Sequence, residues 1–201
     1  MVDAMPGPPV GVCGQDGPVT DDNLHAPDAH EPPAEDAAQA ARIQQFWEEA
    51  RARAGFGKVG SVVGLGWAES VPPEAWAFGD SPELADQLLT LVLQGVKTGT
   101  ASALWEYEDG DEPVPGPGAL SIVLDGEGEP RALLRTTSVE VVPFDQVTEE
   151  HAYSEGEDDR TLESWRREHE RFWRRDLSGG RAFAPDMPVV CERFEVLYPR
   201  R

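Results

Sequence analysis

Cysteine is nearly absent from this 201-residue chain, with Cys13 and Cys191 the only two. Two thiols so far apart supply neither a disulfide framework nor a zinc-ligand spacing. Basic residues are scarce as well: 17 Lys and Arg stand against 38 Asp and Glu, for a formal net charge of −21. That balance speaks against sequence-independent binding to duplex DNA or long RNA, whose affinity comes from Lys and Arg neutralising phosphates. It leaves open a nucleoside, a nucleotide or a short single strand in a locally basic or aromatic pocket, since the long-range field only slows the approach of polyanions. The acidity has a plainer cause too, in solubility. No apolar run approaches the ~20 residues of a membrane-spanning helix. Residues 1–6 have neither the basic start nor the apolar centre of a secretion signal. A cytoplasmic protein with no membrane partner is expected.

What is present is material for one core: 39% hydrophobic residues, six Trp and seven Phe, enough for a single domain. Residues 1–35 are rich in Pro, Gly, Ala and Asp and contain no Lys or Arg. Such a stretch cannot repay the entropy of ordering, so a disordered acidic tail is expected there, followed by a domain over residues 36–201. Ile43, Phe46, Trp47 and Ala50 recur at helical spacing and predict a first helix from about Gln39. A Gly- and Pro-rich connection follows, in which residues 61–65 read as a short strand or as nothing regular. The second helix has the fullest set of signals. Ser81 can cap it, Pro82 suits its first turn, Leu84, Leu88, Leu89, Val92 and Leu93 form its stripe, and Gly95 stops it.

Strands are expected over residues 100–105, 119–124, 131–142 and 189–198, the middle two as a hairpin across Asp125-Gly126. In the last of them Glu192 alternates with Phe194 and Val196, an unusual place for a carboxylate. Asp145 or Thr148 can cap a short helix through Ala152, and Leu162, Trp165, His169, Phe172 and Trp173 share the face of another. Helices and strands do not alternate regularly enough for a doubly wound parallel sheet. The expectation is α+β, a small, partly closed β-barrel carrying helices.

Chemistry is suggested at one place, Gly95-Val96-Lys97-Thr98-Gly99-Thr100-Ala101, where a lysine and two hydroxyls follow a helix end. An amine that loses its proton by desolvation can activate an alcohol. A cation and a hydroxyl at a helix C-terminus also have a plain capping explanation. Trp105 and Tyr107 can stack a base or pack a strand. Trp76 and Phe78 can line a pocket or staple the second helix. Glu155, Glu157, Asp158 and Asp159 read as a solvated run before a helix rather than a metal site, and His169 as a hydrogen-bonded core residue.

The ordered set of Gly95-x-Lys97-Thr98-x-Thr100, a Pro-rich turn into a strand, Val142-Pro143-Phe144, Glu149-Glu150-His151-Ala152, Glu155-Gly156-Glu157 and Trp165-Arg166-x-x-His169 resembles the ASCH domain. This is the activating-signal-cointegrator homology family, and the resemblance spans about residues 40–201. It implies a PUA-like β-barrel of mixed, mainly antiparallel strands that binds RNA or a modified nucleoside beside the lysine loop, with no cofactor. One branch of small ASCH proteins hydrolyses the acetyl amide of N4-acetylcytidine with a Lys-x-x-Thr pair and a downstream Glu. By that match Lys97 would be the base, Thr100 the nucleophile, and Glu155 would orient or protonate the leaving amine. Thr98, Ser102, Trp105 and Tyr107 would contact substrate. The chain departs from the broader pattern Gly-x-Lys-x-x-Glu-x-Arg by placing Thr100 and Ser102 where an acid and an arginine stand. Arg131 or Arg135 are candidates to replace that arginine. A non-catalytic module for single-stranded RNA or a small ligand, and a ribonuclease, are the alternatives.

Overall fold

Apolar residues alternate along residues 120–124, 130–143 and 188–198, and these segments form the centre of a five-stranded sheet. The computed structural model describes residues 34–55, 71–110, 113–175 and 181–200. The strands are β1 (Ala75–Ala77), β2 (Gly99–Ala103), β3 (Leu120–Leu124), β4 (Pro130–Pro143) and β5 (Pro188–Tyr198). Their spatial order is β1-β3-β4-β5-β2. β1 lies parallel to β3 and every other neighbour is antiparallel. The sheet curls into a half-barrel, as the mixed, mainly antiparallel α+β expectation required. Among the described residues five α-helices accompany it: α1 (Ala34–Ala54), α2 (Pro82–Gln94), α3 (Leu104–Gly110), α4 (Glu149–Glu155) and α5 (Leu162–Arg175). None is long and apolar enough to cross a membrane.

The period-2 alternation of β3 and β4 divides their side chains between two helices. Ile122, Leu124 and Leu133 pack with Trp47 and Ala50 of α1. Val123, Ala132 and Leu134 point the other way and pack with Leu88, Leu89 and Val92 of α2 and with Phe78. A third cluster joins Trp165 and Trp173 of α5 and Ala152 of α4 to Ala103, Val189 and Cys191 of the β2–β5 ladder. The β3–β4 hairpin turn is held by Asp125, whose Oδ1 accepts the amides of Glu127 and Glu129 at 3.0 and 2.9 Å.

The second helix has the limits its signals imply. Ser81 Oγ accepts the Leu84 amide at 3.2 Å, and Gly95 closes α2 in the left-handed region at φ 67°. Thr148, rather than Asp145, caps α4 by accepting the His151 amide at 3.2 Å. Two boundaries differ from expectation. The strand expected over residues 100–105 stops at Ala103, because Glu106 reaches back to accept the Ala103 amide at 3.1 Å and starts α3. Trp105 and Tyr107 therefore lie on a helix, not on a strand. α1 begins at Ala34 rather than near Gln39, with Glu35 and Asp36 placed in its first turn where they complement the dipole. The tail expected before it and the strand considered at residues 61–65 fall outside the described residues.

Candidate functional site

Two helix ends meet to build the site. At the end of α2, the amides of Gly95, Val96 and Lys97 turn back onto the Val92 and Leu91 carbonyls at 2.8, 2.9 and 3.1 Å. This aims the Lys97 side chain inward. α4 ends at Glu155 and is closed by Gly156 at φ 74°. A Cβ on Gly156 would sit 2.6 Å from the Val96 carbonyl oxygen and 2.9 Å from the Lys97 nitrogen. Glycine is what lets the two turns touch, and the Thr98 amide fastens them by donating to the Ser154 carbonyl at 2.7 Å.

Lys97 and Glu155 are each only 1% exposed. Lys97 Nζ donates to Glu155 Oε2 at 3.2 Å and to Glu157 Oε1 at 2.6 Å, and lies 5.2 Å from the centre of the Phe78 ring. Glu155 Oε1 accepts Trp165 Nε1 at 2.6 Å and pairs with His151 Nε2 at 3.1 Å. His169 stacks on Trp165 with ring centres 4.1 Å apart. Its Nδ1 is 3.0 Å from the Trp165 carbonyl, which can only accept, so Nδ1 carries a proton. Its Nε2 faces Glu155 Oε1 at 3.8 Å.

Burial alone would lower the Lys97 pKa, but the carboxylates of Glu155 and Glu157 outweigh it and raise it above the ordinary lysine range. Burial likewise opposes the charge on Glu155, yet Lys97, His169 and His151 hold that carboxyl well below the usual range. The depressed lysine pKa that a base role needs is the reverse of what this network produces. A carboxylate so far below its usual range also holds no proton to give a leaving amine. The network makes Lys97 a fixed ammonium donor and Glu155 its orienting partner.

Lys97, Glu155, Thr100 and Ser102 line one cavity of about 460 Å3. The structure thus brings together the three expected catalytic residues and one expected contact. The other contacts lie elsewhere. Thr98 is exposed, its hydroxyl directed at the Ser154 carbonyl at 3.3 Å. Trp105 packs against the third core cluster, and Tyr107 does not line the cavity. Two residues apart on a helix, those rings point in different directions and form no common platform.

Trp76, Phe78, Leu84 and Leu88 supply the apolar wall, with Trp76 edge-on to Phe78 at 4.6 Å. The pair lines the pocket, and Phe78 also packs into the α2 core, but from three residues before the Ser81 cap rather than from the N′ position of a staple. Neither Arg131 nor Arg135 lines the cavity: Arg131 Nε donates to Asp125 Oδ2 at 2.6 Å and Arg135 Nε to Glu195 Oε1 at 2.8 Å. The guanidinium groups on the wall are Arg171 and Arg175 of α5, a helix legible in the sequence mainly by its apolar face. Glu157, Trp165 and His151 were missed as members of the network. The i,i+4 spacing of His151 and Glu155 was the available signal for one of them. Asp159 Oδ1 accepts the amide and hydroxyl of Thr161 at 3.0 and 2.7 Å, and Asp158 accepts the Ser164 hydroxyl at 3.1 Å, as carboxylates of a cap do.

The fold has counterparts among solved structures. The chain is similar to the crystal structure of a protein from Enterococcus faecalis V583, with 37% identity and a TM-score of 0.64 over 78% of this chain and 88% of that one. It is also similar to the crystal structure of the ASCH domain from Lactobacillus crispatus JV V101, with 28% identity and a TM-score of 0.65 over 79% of this chain and 95% of that one. No match was found among curated proteins. The ASCH domain pattern matches residues 74–198, from the strand that carries Trp76 through the end of β5. This chain belongs to the ASCH domain family.

Proposed function

We propose that the cavity binds one nucleobase, of a modified nucleoside or of single-stranded RNA. Its polar edge would lie at Lys97, Thr100 and Glu155 and its face along Trp76 and Phe78. The observation that supports this reading is the meeting of a buried ammonium, a carboxylate and a strand hydroxyl in a cavity with aromatic and aliphatic walls. An aromatic and aliphatic wall facing a polar and charged one suits a small planar ligand, and stacking on an aromatic ring contributes about 1–3 kcal/mol per base. Arg171 and Arg175 on the wall are paired with Glu168 at 2.8 Å and with Asp80, and a phosphate would have to displace those carboxylates within a chain of net charge −21.

In its enzymatic form the site would hydrolyse the acyl amide of N4-acetylcytidine. Thr100 would attack the carbonyl carbon while the Lys97 ammonium, held by Glu155 and Glu157, stabilises the oxyanion. The charged state of Lys97 also favours a second reading, a module that binds without turnover. Calorimetric titration with N4-acetylcytidine, cytidine and a short oligoribonucleotide, beside chromatographic detection of released acetate, separates the two. Binding that weakens about tenfold in Trp76→Ala, with acetate release lost in Thr100→Val, is expected. Binding without acetate release, where a control deacetylase is active, removes the enzymatic form. No binding of any of the three removes both. Cleavage of labelled RNA would instead point to a ribonuclease.

A further inference from the structure

With Lys97 charged and Glu155 bonded on both oxygens, no hydrogen bond joins the Thr100 hydroxyl to the network described above. A proton acceptor stands on the neighbouring strand. Glu192 is directly opposite Thr100 in the antiparallel β2–β5 ladder. Opposed residues of such a pair project to the same face with Cβ atoms about 5 Å apart.

Glu192 also occupies a core position. It shares a strand face with Val190 and Phe194, which are 1% and 4% exposed, and is itself 8% exposed. Carboxylates are rarely buried without a cation, and Glu192 has none: among the described residues its hydrogen bond is from Thr136 Oγ1 to Oε1, at 3.1 Å. Thr136 is paired with Phe194, two residues along β5 from Glu192, just before the β4–β5 register slips. One carboxylate oxygen is held there and the other is left for a second donor. Glu192 does not line the cavity whereas Thr100 does, so the carboxylate stands behind its cross-strand neighbour rather than against the ligand.

We propose that Glu192 is the catalytic base of this site and takes the hydroxyl proton of Thr100. The inference rests on the reading of Thr100 as nucleophile. In the step, a Thr100 Oγ1 lone pair forms a bond to the acyl carbon as its proton passes to the Glu192 carboxylate. The tetrahedral species collapses with cleavage of the carbon–nitrogen bond, and the leaving amine takes the proton back from Glu192. Water then attacks the acyl-Thr100 ester and gives one proton to Glu192. Carboxylic acid is released as the proton returns to Thr100.

The ionisable groups facing Glu192 are Glu74 before β1 and Tyr107 on α3, with Glu106 beside Tyr107. Burial raises the Glu192 pKa, the Thr136 hydrogen bond partly opposes this, and the Glu74 charge adds to it. The result is a stronger base than a solvated glutamate.

The test uses p-nitrophenyl acetate with the full chain, following the p-nitrophenolate release that disappears in Thr100→Val and mapping the acetylated residue by mass spectrometry. The wild type should show an acid limb above the ordinary glutamate value of about 4.3. Glu192→Gln should lower the rate about 100-fold or more and flatten that limb. Thr136→Val, which removes the opposing hydrogen bond, should move the limb to higher pH, a displacement that a structural role for Glu192 would not produce. It also stands in if the Gln variant misfolds. Equal rates in wild type and Glu192→Gln, an unmoved limb in Thr136→Val, or no Thr100-dependent release overturn the assignment. Thr100-dependent release that needs Glu192, without deacetylation of N4-acetylcytidine, removes the nucleoside reading and leaves the base. Deacetylation that survives Glu192→Gln does the opposite.

Discussion

Replacing Lys97 with methionine tests the buried network directly. The substitution keeps most of the aliphatic stem and deletes the ammonium that lies by the Phe78 ring and answers Glu155 and Glu157. Glu155, 1% exposed, would keep Trp165 and His151 but lose its ammonium. Removing one partner of a buried pair costs about 3–5 kcal/mol. In a chain of this size each kcal/mol moves Tm by about 2–4 °C, so a fall of roughly 6–20 °C is expected. The folded Glu155 pKa is depressed, so its contribution is present above the unfolded value of about 4.3 and is lost as pH falls through the folded value. The folded Lys97 pKa is raised, so its contribution is present below about 10.4 and is lost as pH rises through the higher folded value. The deficit of Lys97→Met is therefore greatest between those limits and shrinks at either end. Guanidinium unfolding followed by tryptophan fluorescence, with Trp165 donating to Glu155 at 2.6 Å, measures it. A loss under about 1 kcal/mol at neutral pH, as exposed pairs give, or a deficit unchanged on acidification, would refute the reasoning.

Gly156→Ala should destabilise by about 2 kcal/mol or more, since a left-handed residue with a Cβ costs about 1–2 kcal/mol before any clash. The added carbon would also press on Val96 and Lys97. Thermal unfolding checks this, and an unchanged Tm would mean that the two turns part without cost. Burial first, and then the Glu155 and Glu140 charges, push the Cys191 thiol up to about 12. Iodoacetamide at pH 8 should spare Cys191 in the native protein and modify it only in denaturant, as peptide mapping would report. Native alkylation at the rate of a free thiol would contradict that burial.

Much of the scaffold was legible because its signals are local. Ser81, Pro82 and Gly95 each act within a turn of themselves, and the β3–β4 hairpin is set by Asp125 and its neighbours. The end of β2 was not, because the competition is decided by Glu106 bonding back to Ala103, which outweighs the strand preference of Trp105 and Tyr107. Lys97, Thr100 and Glu155 were identified by resemblance and do line one cavity. The charge state of Lys97 was not legible, since it depends on Glu157 arriving from 60 residues away. Glu192 was visible only as a broken alternation. Its meaning depends on the strand it faces, which no spacing within residues 189–198 encodes.

The strand order has a consequence for how the site comes into being. β2, which carries Thr100, is an edge strand whose one neighbour among the described residues is β5, and the Phe194 amide closes onto the Thr98 carbonyl at 3.0 Å. β5 is the last of the five strands to leave the ribosome. Until it does, the lysine loop has no ladder to rest on, although α2 and the β3–β4 hairpin can already pack together. A nascent chain would hold its scaffold before its chemistry, and the cavity would close in one late event when β5 slides between β4 and β2.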